Sequence, residues 1–97
     1  MTITKNLNGA EATVAIEGRL DTTTAPDLEK EIQTLTGASS LTIDLAKLEY
    51  ISSAGLRVLL SAHKNFANKN GMTLINVSAT IIEIFEVTGF KSILNIQ

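Results

Sequence analysis

Tyr50-Ile51-Ser52-Ser53-Ala54-Gly55-Leu56-Arg57-Val58-Leu59-Leu60 sets two adjacent hydroxyls between an apolar, strand-like run and an apolar helix. Ser and Thr are favoured just before a helix, because their side-chain oxygens accept hydrogen bonds from its first free N–H groups. Gly55 offers a small residue where another backbone or a partner can come close. Beyond it, Leu56, Leu59, Leu60, His63 and Ala67 recur at three- and four-residue spacing and mark one face of a helix over residues 54–68. Ser53 is therefore expected at or just before a helix N-terminus, near the surface. Helix capping is the commoner reason for such a Ser pair, and function the rarer one.

Outward from this stretch, residues 3–7 and 12–17 read as two short strands joined at Asn8-Gly9, a strong hairpin signal. Thr24 with Asp27 resembles a capping box, and Pro26 falls in the first turn, where its missing N–H does no harm. Leu28, Ile32 and Leu35 then predict a first helix over 25–36, with Gly37 as its C-terminal cap. Residues 41–45 alternate as a strand does. Lys69-Asn70-Gly71 closes the central helix, and 72–77 form a further, buried strand. Ser78 caps a third helix carrying Ala79, Ile81, Ile82 and Phe85, which Gly89 ends, and 92–96 could add a last edge strand. The order β-β-α-β-α-β-α predicts an α/β fold: a mixed sheet of four to five strands with helices packed on it.

Composition narrows the function classes. A length of 97 residues allows one domain, 1–97, since a second core could not be built. With 44% hydrophobic and 19% charged residues, the chain can bury a core and does not resemble a disordered tail. The net charge is −2, and no Lys/Arg cluster suggests nucleic acid or an anionic membrane. There is no cysteine, hence no disulfide or thiolate chemistry, and a single histidine cannot assemble a metal site alone. Neither a phosphate-binding Gly-rich loop nor a dinucleotide fingerprint is present, so no cofactor and no small-molecule substrate are expected. No signal-like segment or membrane-length apolar run is found, and a soluble, cytoplasmic protein is expected.

The stretch from Tyr50 to Leu60 resembles the signature of the STAS domain family, in particular the small bacterial anti-sigma factor antagonists. Their usual form is aromatic-Ile-Asp-Ser-Ser/Thr-Gly-Leu, with the first Ser after the Asp phosphorylated. Aligning Gly55-Leu56 puts Ser53 at the phosphoacceptor, Ala54 at the second hydroxyl and Ser52 where the family has Asp. The resemblance covers nearly the whole chain: Gly18-Arg19-Leu20-Asp21 is similar to the family's Gly-x-Leu-Asp, and Thr24-Ala25 to its following Thr-Ala. Ile43-Asp44-Leu45 matches its third strand, and Ser78 to Phe85 with Gly89-Phe90 its third helix and exit. The resemblance implies a STAS fold and a phosphoprotein that works by partner switching in transcription regulation. By the same resemblance, the unmodified chain is expected to bind an anti-sigma factor serine kinase and free a sigma factor. The kinase, with its own ATP and magnesium, would phosphorylate Ser53, and a PP2C-type phosphatase would reset it.

Rival chemistry is poorly served. A hydrolase needs a base within reach of its Ser, yet the only histidine, His63, is ten residues along the same helix, about 15 Å of axial rise. No enzyme is expected. Phosphate at a helix N-terminus, by contrast, meets free N–H groups and a favourable dipole, so the domain tolerates it and the effect falls on a partner. The expected partner-binding surface comprises Asp21, Thr22, Ser52, Ser53, Ala54, Gly55 and Arg57. Asp21 reads equally as a turn or capping group, and the resemblance favours it for the polar patch around the acceptor. Asp44 can serve merely to bond neighbouring backbone, and Arg57 to position a partner or stay solvated. The alternatives are a constitutive STAS subunit of a lipid-transport ABC complex, which needs no phosphate, and a phospho-switch in a non-sigma pathway.

Overall fold

The computed structural model of the chain describes residues 1–97. Its strands are β1 (Thr2–Asn8), β2 (Glu11–Leu20), β3 (Ser40–Ile51) and β4 (Met72–Ile75), and its helices are α1 (Ala25–Gln33), α2 (Ser53–Ala67) and α3 (Ala79–Thr88). The sheet has four strands in the order β1-β2-β3-β4. β1 and β2 form an antiparallel hairpin, while β2–β3 and β3–β4 run parallel. The expected fifth strand over 92–96 shrinks to a single bridge. Phe90–Ser92 form a 3-10 turn instead, and only Ile96 pairs with Leu74. Two hydrogen bonds hold that bridge: Leu74 N–H donates to the Asn95 carbonyl (2.8 Å) and Gln97 N–H to that of Leu74 (2.9 Å).

Alternation along the strands decides which face is covered. Ala12, Val14, Ile16 and Leu20 of β2, Leu41, Ile43, Leu45, Leu48 and Ile51 of β3, and Met72 and Leu74 of β4 are buried. They join Leu28 and Ile32 of α1, Leu56, Leu59 and Phe66 of α2, and Ile81 and Phe85 of α3 in one apolar cluster of 24 residues. Burying each large aliphatic or aromatic side chain stabilises the fold by about 1.5–3 kcal/mol before conformational entropy is subtracted. Thr13, Thr42, Asp44 and Thr73 alternate with these residues, and none is fully buried.

Several local expectations are corrected. The hairpin turn is centred on Gly9-Ala10, one residue later than the Asn-Gly reading, because Asn8 still pairs with Glu11. Gly9 has φ +63° and Ala10 is not left-handed, which is the pattern of a turn with Gly in its first central position. Thr24 and Asp27 form no capping box. The Thr24 N–H goes back to Asp21, and the Thr24 hydroxyl donates to the Arg19 carbonyl (2.9 Å). α1 stops at Gln33, earlier than expected, and the Thr34 hydroxyl, bonded to the Glu31 carbonyl (2.7 Å), takes the terminal role assigned to Gly37. On α2 the buried stripe is rotated from the predicted one: Val58, Ala62 and Phe66 are inside, Leu60 and His63 half-buried, and Ala67 exposed. On α3, Ala79 is exposed and Ile82 only half-buried. The remaining helix boundaries match their signals. The Gly71 N–H returns to the Phe66 carbonyl (3.0 Å), the Ser78 hydroxyl accepts from Ile81 N–H (3.3 Å), and left-handed Gly89 ends α3.

The seam between sheet and α2 depends on Gly55. A Cβ there would lie 2.7 Å from Leu20 Cγ and 2.9 Å from Ile51 Cγ1, too close without moving one of them. Gly55→Ala should therefore cost about 1–3 kcal/mol through overpacking. Gly37→Ala, which meets no atom within 4 Å and has no left-handed backbone, should be close to neutral. Urea unfolding of both variants checks this, and equal midpoints would refute the assigned contact.

Candidate functional site

The C-terminal ends of β2 and β3 converge on the first turn of α2. Leu20 pairs with Ile51, and Ser52 N–H donates to the Leu20 carbonyl (2.9 Å), so Asp21 and Ser52 leave the sheet side by side. Ser52 is the N-cap of α2, with extended backbone (φ −99°, ψ 177°), and its carbonyl accepts from Leu56 N–H at 2.9 Å. Its side chain does not cap. The Ser52 Oγ is shut off from solvent and has no hydrogen-bond partner. Ser53, the first residue of α2, is exposed, and the first turn carries no acidic residue. The two neighbouring hydroxyls thus differ sharply in access. The positive end of the helix is uncompensated by any carboxylate of its own first turn.

Asp21 organises the adjoining Thr triplet. Its Oδ1 accepts from the Thr23 hydroxyl (2.8 Å), Thr23 N–H (3.0 Å) and Thr24 N–H (3.2 Å). These bonds, the Thr23 hydroxyl foremost, hold its carboxyl below the ordinary 3.8 against an opposing desolvation effect. Beside it, the Arg19 guanidinium lies over the Tyr50 ring, 4.3 Å from its centre, with Arg19 Nε 3.9 Å from Asp21 Oδ2. Arg19 and Tyr50 are cross-strand neighbours, which explains the stacking. From this corner an open groove of about 360 Å³ runs between α1 and α2, lined by Thr22, Ala25, Pro26, Glu29, Ala54, Arg57, Val58 and Ser61.

The expected surface residues therefore separate into groups. Thr22, Ala54 and Arg57 share the groove, while Asp21 and Ser53 sit at its sheet end. Gly55 is buried beneath Leu20 and Ile51, so it serves the packing and offers no side chain to a partner. Asp44 lies elsewhere. It is in mid-β3, accepting from Ala46 N–H (2.9 Å) and the Asn76 side-chain amide (3.1 Å). His63 is half-buried on α2 with its Nδ1 unpartnered and out of solvent, as its place on the stripe suggested. Arg19, Tyr50 and Glu29 were missed as neighbours of the site. Arg19 and Tyr50 lie within the quoted motifs, but their pairing depends on a β2–β3 register that local spacing does not encode.

Two outcomes follow from this geometry. Ser52→Ala should forfeit none of the roughly 1 kcal/mol that removing an N-cap hydroxyl usually costs, because this hydroxyl makes no bond. Ser78→Ala, which does lose a capping bond, should show that cost, and chemical denaturation of the pair checks the contrast. For Asp21 the carboxyl is depressed on folding, so its contribution is present above 3.8 and disappears as pH falls through the lower folded value. The stability difference between the parent chain and Asp21→Asn should accordingly shrink as pH is lowered from about 5 toward 2. A difference constant across that range would contradict it.

Comparisons with known proteins agree with the fold. The family model described as "Mlab, STAS domain" matches residues 3–95. BtrV of Bordetella bronchiseptica, provisionally described as an anti-sigma factor antagonist, is 37% identical over 81 residues, covering 80% of this chain and 70% of its own. The anti-sigma-B factor antagonist of Bacillus subtilis is 33% identical over 92 residues, 93% of this chain and 84% of its own. Among solved structures, an anti-sigma factor antagonist from Mycobacterium paratuberculosis superposes with a TM-score of 0.86 at 23% identity, covering 98% of this chain and 83% of its own. The phosphorylated form of the Bacillus cell fate determinant SpoIIAA gives 0.76 at 16% identity, covering 99% and 91%. Its likeness extends to the fold. On the match over 3–95 and the identity to the two curated relatives, the chain belongs to the STAS domain family.

Proposed function

We propose that this chain is an anti-sigma factor antagonist acting as a cytoplasmic binding module, not an enzyme, and that phosphorylation of Ser53 switches it off. Unmodified, it binds an anti-sigma factor serine kinase through the α2 N-terminus, Asp21, Thr22 and the neighbouring groove, releasing a sigma factor. The observation that carries the reading is the exposed Ser53 hydroxyl beside the sealed Ser52 hydroxyl. The names of the curated relatives support the regulatory class.

The physics of the switch is local. The kinase's ATP supplies the γ-phosphoryl group, the Ser53 oxygen bonds to it as ADP leaves, and the hydroxyl proton passes to a base on the kinase. The product carries about −1.5 to −2 charge where a neutral hydroxyl stood. The free N–H groups of α2 accommodate that anion, so the fold survives. A partner surface complementary to the hydroxyl must instead desolvate a dianion, which weakens docking sharply. A PP2C-type phosphatase reverses the step.

A second reading has one observation in its favour. Ser52 stands where the family signature has Asp, and its oxygen makes no bond that could orient Ser53. A constitutive STAS subunit, for example of a lipid-transport ABC complex, would need no such orientation.

Ser53 makes no side-chain hydrogen bond to lose, so Ser53→Ala should stay within about 0.5 kcal/mol of the parent in stability. As bait in a lysate from the native cell, the Ala variant should capture an ATPase-fold serine kinase, identified by mass spectrometry, and Ser53→Asp should not. Equal capture of transporter subunits by both baits would replace the switch with the constitutive module.

A further inference from the structure

We propose that Arg57 receives the phosphate of a modified Ser53 in cis, so that modification removes a cation from the α1–α2 groove as well as adding an anion beside it. The proposal rests on Ser53 being the modified residue. Ser53 and Arg57 are the first and fifth residues of α2, an i, i+4 pair, whose side chains share one face with Cβ atoms about 5–6 Å apart. Both are exposed. Arg57 is also unclaimed: no carboxylate lies within 4.0 Å of it and it makes no side-chain hydrogen bond, although Glu29 lines the same groove. The other arginine at this end, Arg19, is held over Tyr50 and near Asp21. Asp21 in turn spends its Oδ1 on Thr23 and Thr24 and repels a phosphate rather than binding it.

The guanidinium is suited to the task, since its planar fork bonds phosphate oxygens in pairs where an ammonium acts as a point charge. In the unmodified chain Arg57 lines the groove and is exposed, available to a docking partner. Once Ser53 is phosphorylated, the same charge turns one helical turn back to the phosphate. A partner that paired with Arg57 then loses that contact and meets a part-neutralised anion. Both changes would lower affinity with no change of fold, which gives Arg57 a specificity-determining role in reading the modification state.

The test uses full-length chain carrying phosphoserine at position 53 installed during synthesis, followed by ³¹P NMR titration at low salt. The second phosphate ionisation, ordinarily near 6, should lie about 0.3 unit higher in Arg57→Gln than in the parent sequence. That shift equals about 0.4 kcal/mol at 1.36 kcal/mol per unit and matches an exposed i, i+4 pair. Arg57→Lys should restore part of the shift, Glu29→Gln none of it, and 1 M salt should abolish the difference. Identical titration of parent and Arg57→Gln at low salt, or a difference that persists at 1 M salt, would overturn the proposal. Because the phosphate is built in, absence of a cellular kinase for Ser53 would defeat the proposed switch without touching this result.

Discussion

The hydrogen bond from Ser52 N–H to the Leu20 carbonyl ties the start of α2 to the end of β2, and the missing side chain of Gly55 lets the two close together. Without that approach, α2 would stand off from Leu20 and Ile51, and Asp21 and Ser52 would no longer leave the sheet side by side. One main-chain bond and one steric allowance thus connect the apolar core to the exposed corner that carries Ser53. The residues that present the corner are anchored in buried strands, while Ser53, Thr22 and Arg57 face outward.

Access and charge distribution set this corner apart from the other polar positions the sequence singled out. Asp44, the other candidate carboxylate, is occupied by Ala46 and Asn76 at mid-strand. His63 is turned into the protein. No helix is long and apolar enough to cross a membrane, and no group of His, Cys, Asp and Glu is placed to hold a metal ion. The α2 N-terminus combines an accessible hydroxyl, an uncompensated dipole and an unpaired arginine one turn away. In the proposed switch, these features are what would let charge be added without disturbing the core.

Much of the fold was legible because its signals are local. The Ser78 cap and Gly89 bounded α3, and the alternation of Leu41, Ile43 and Leu45 marked β3. The rest depended on contacts between distant segments. β3 continues to Ile51, but register shifts opposite Glu17 and Arg19 change its inward residues from a two-residue to a three-residue spacing at Leu45, Leu48 and Ile51, so periodicity hid its second half. The Thr24 capping box failed because Asp21 took the Thr24 N–H first. At the site, the motif marked Ser53 and Gly55, but the reason for Gly55 is Leu20, far earlier in the chain. The sealing of Ser52 and the stacking of Arg19 on Tyr50 likewise arise only once β2 and β3 are in register.

The central claim is that one of two adjacent hydroxyls is the regulatory one. Phosphosite mapping by tandem mass spectrometry, on the chain purified from its native cell under several growth conditions, tests it most directly. A single phosphate on Ser53 is expected, with an occupancy that varies with condition, and none on Ser52. Phosphate on Ser52, or a chain unmodified under every condition, would contradict it.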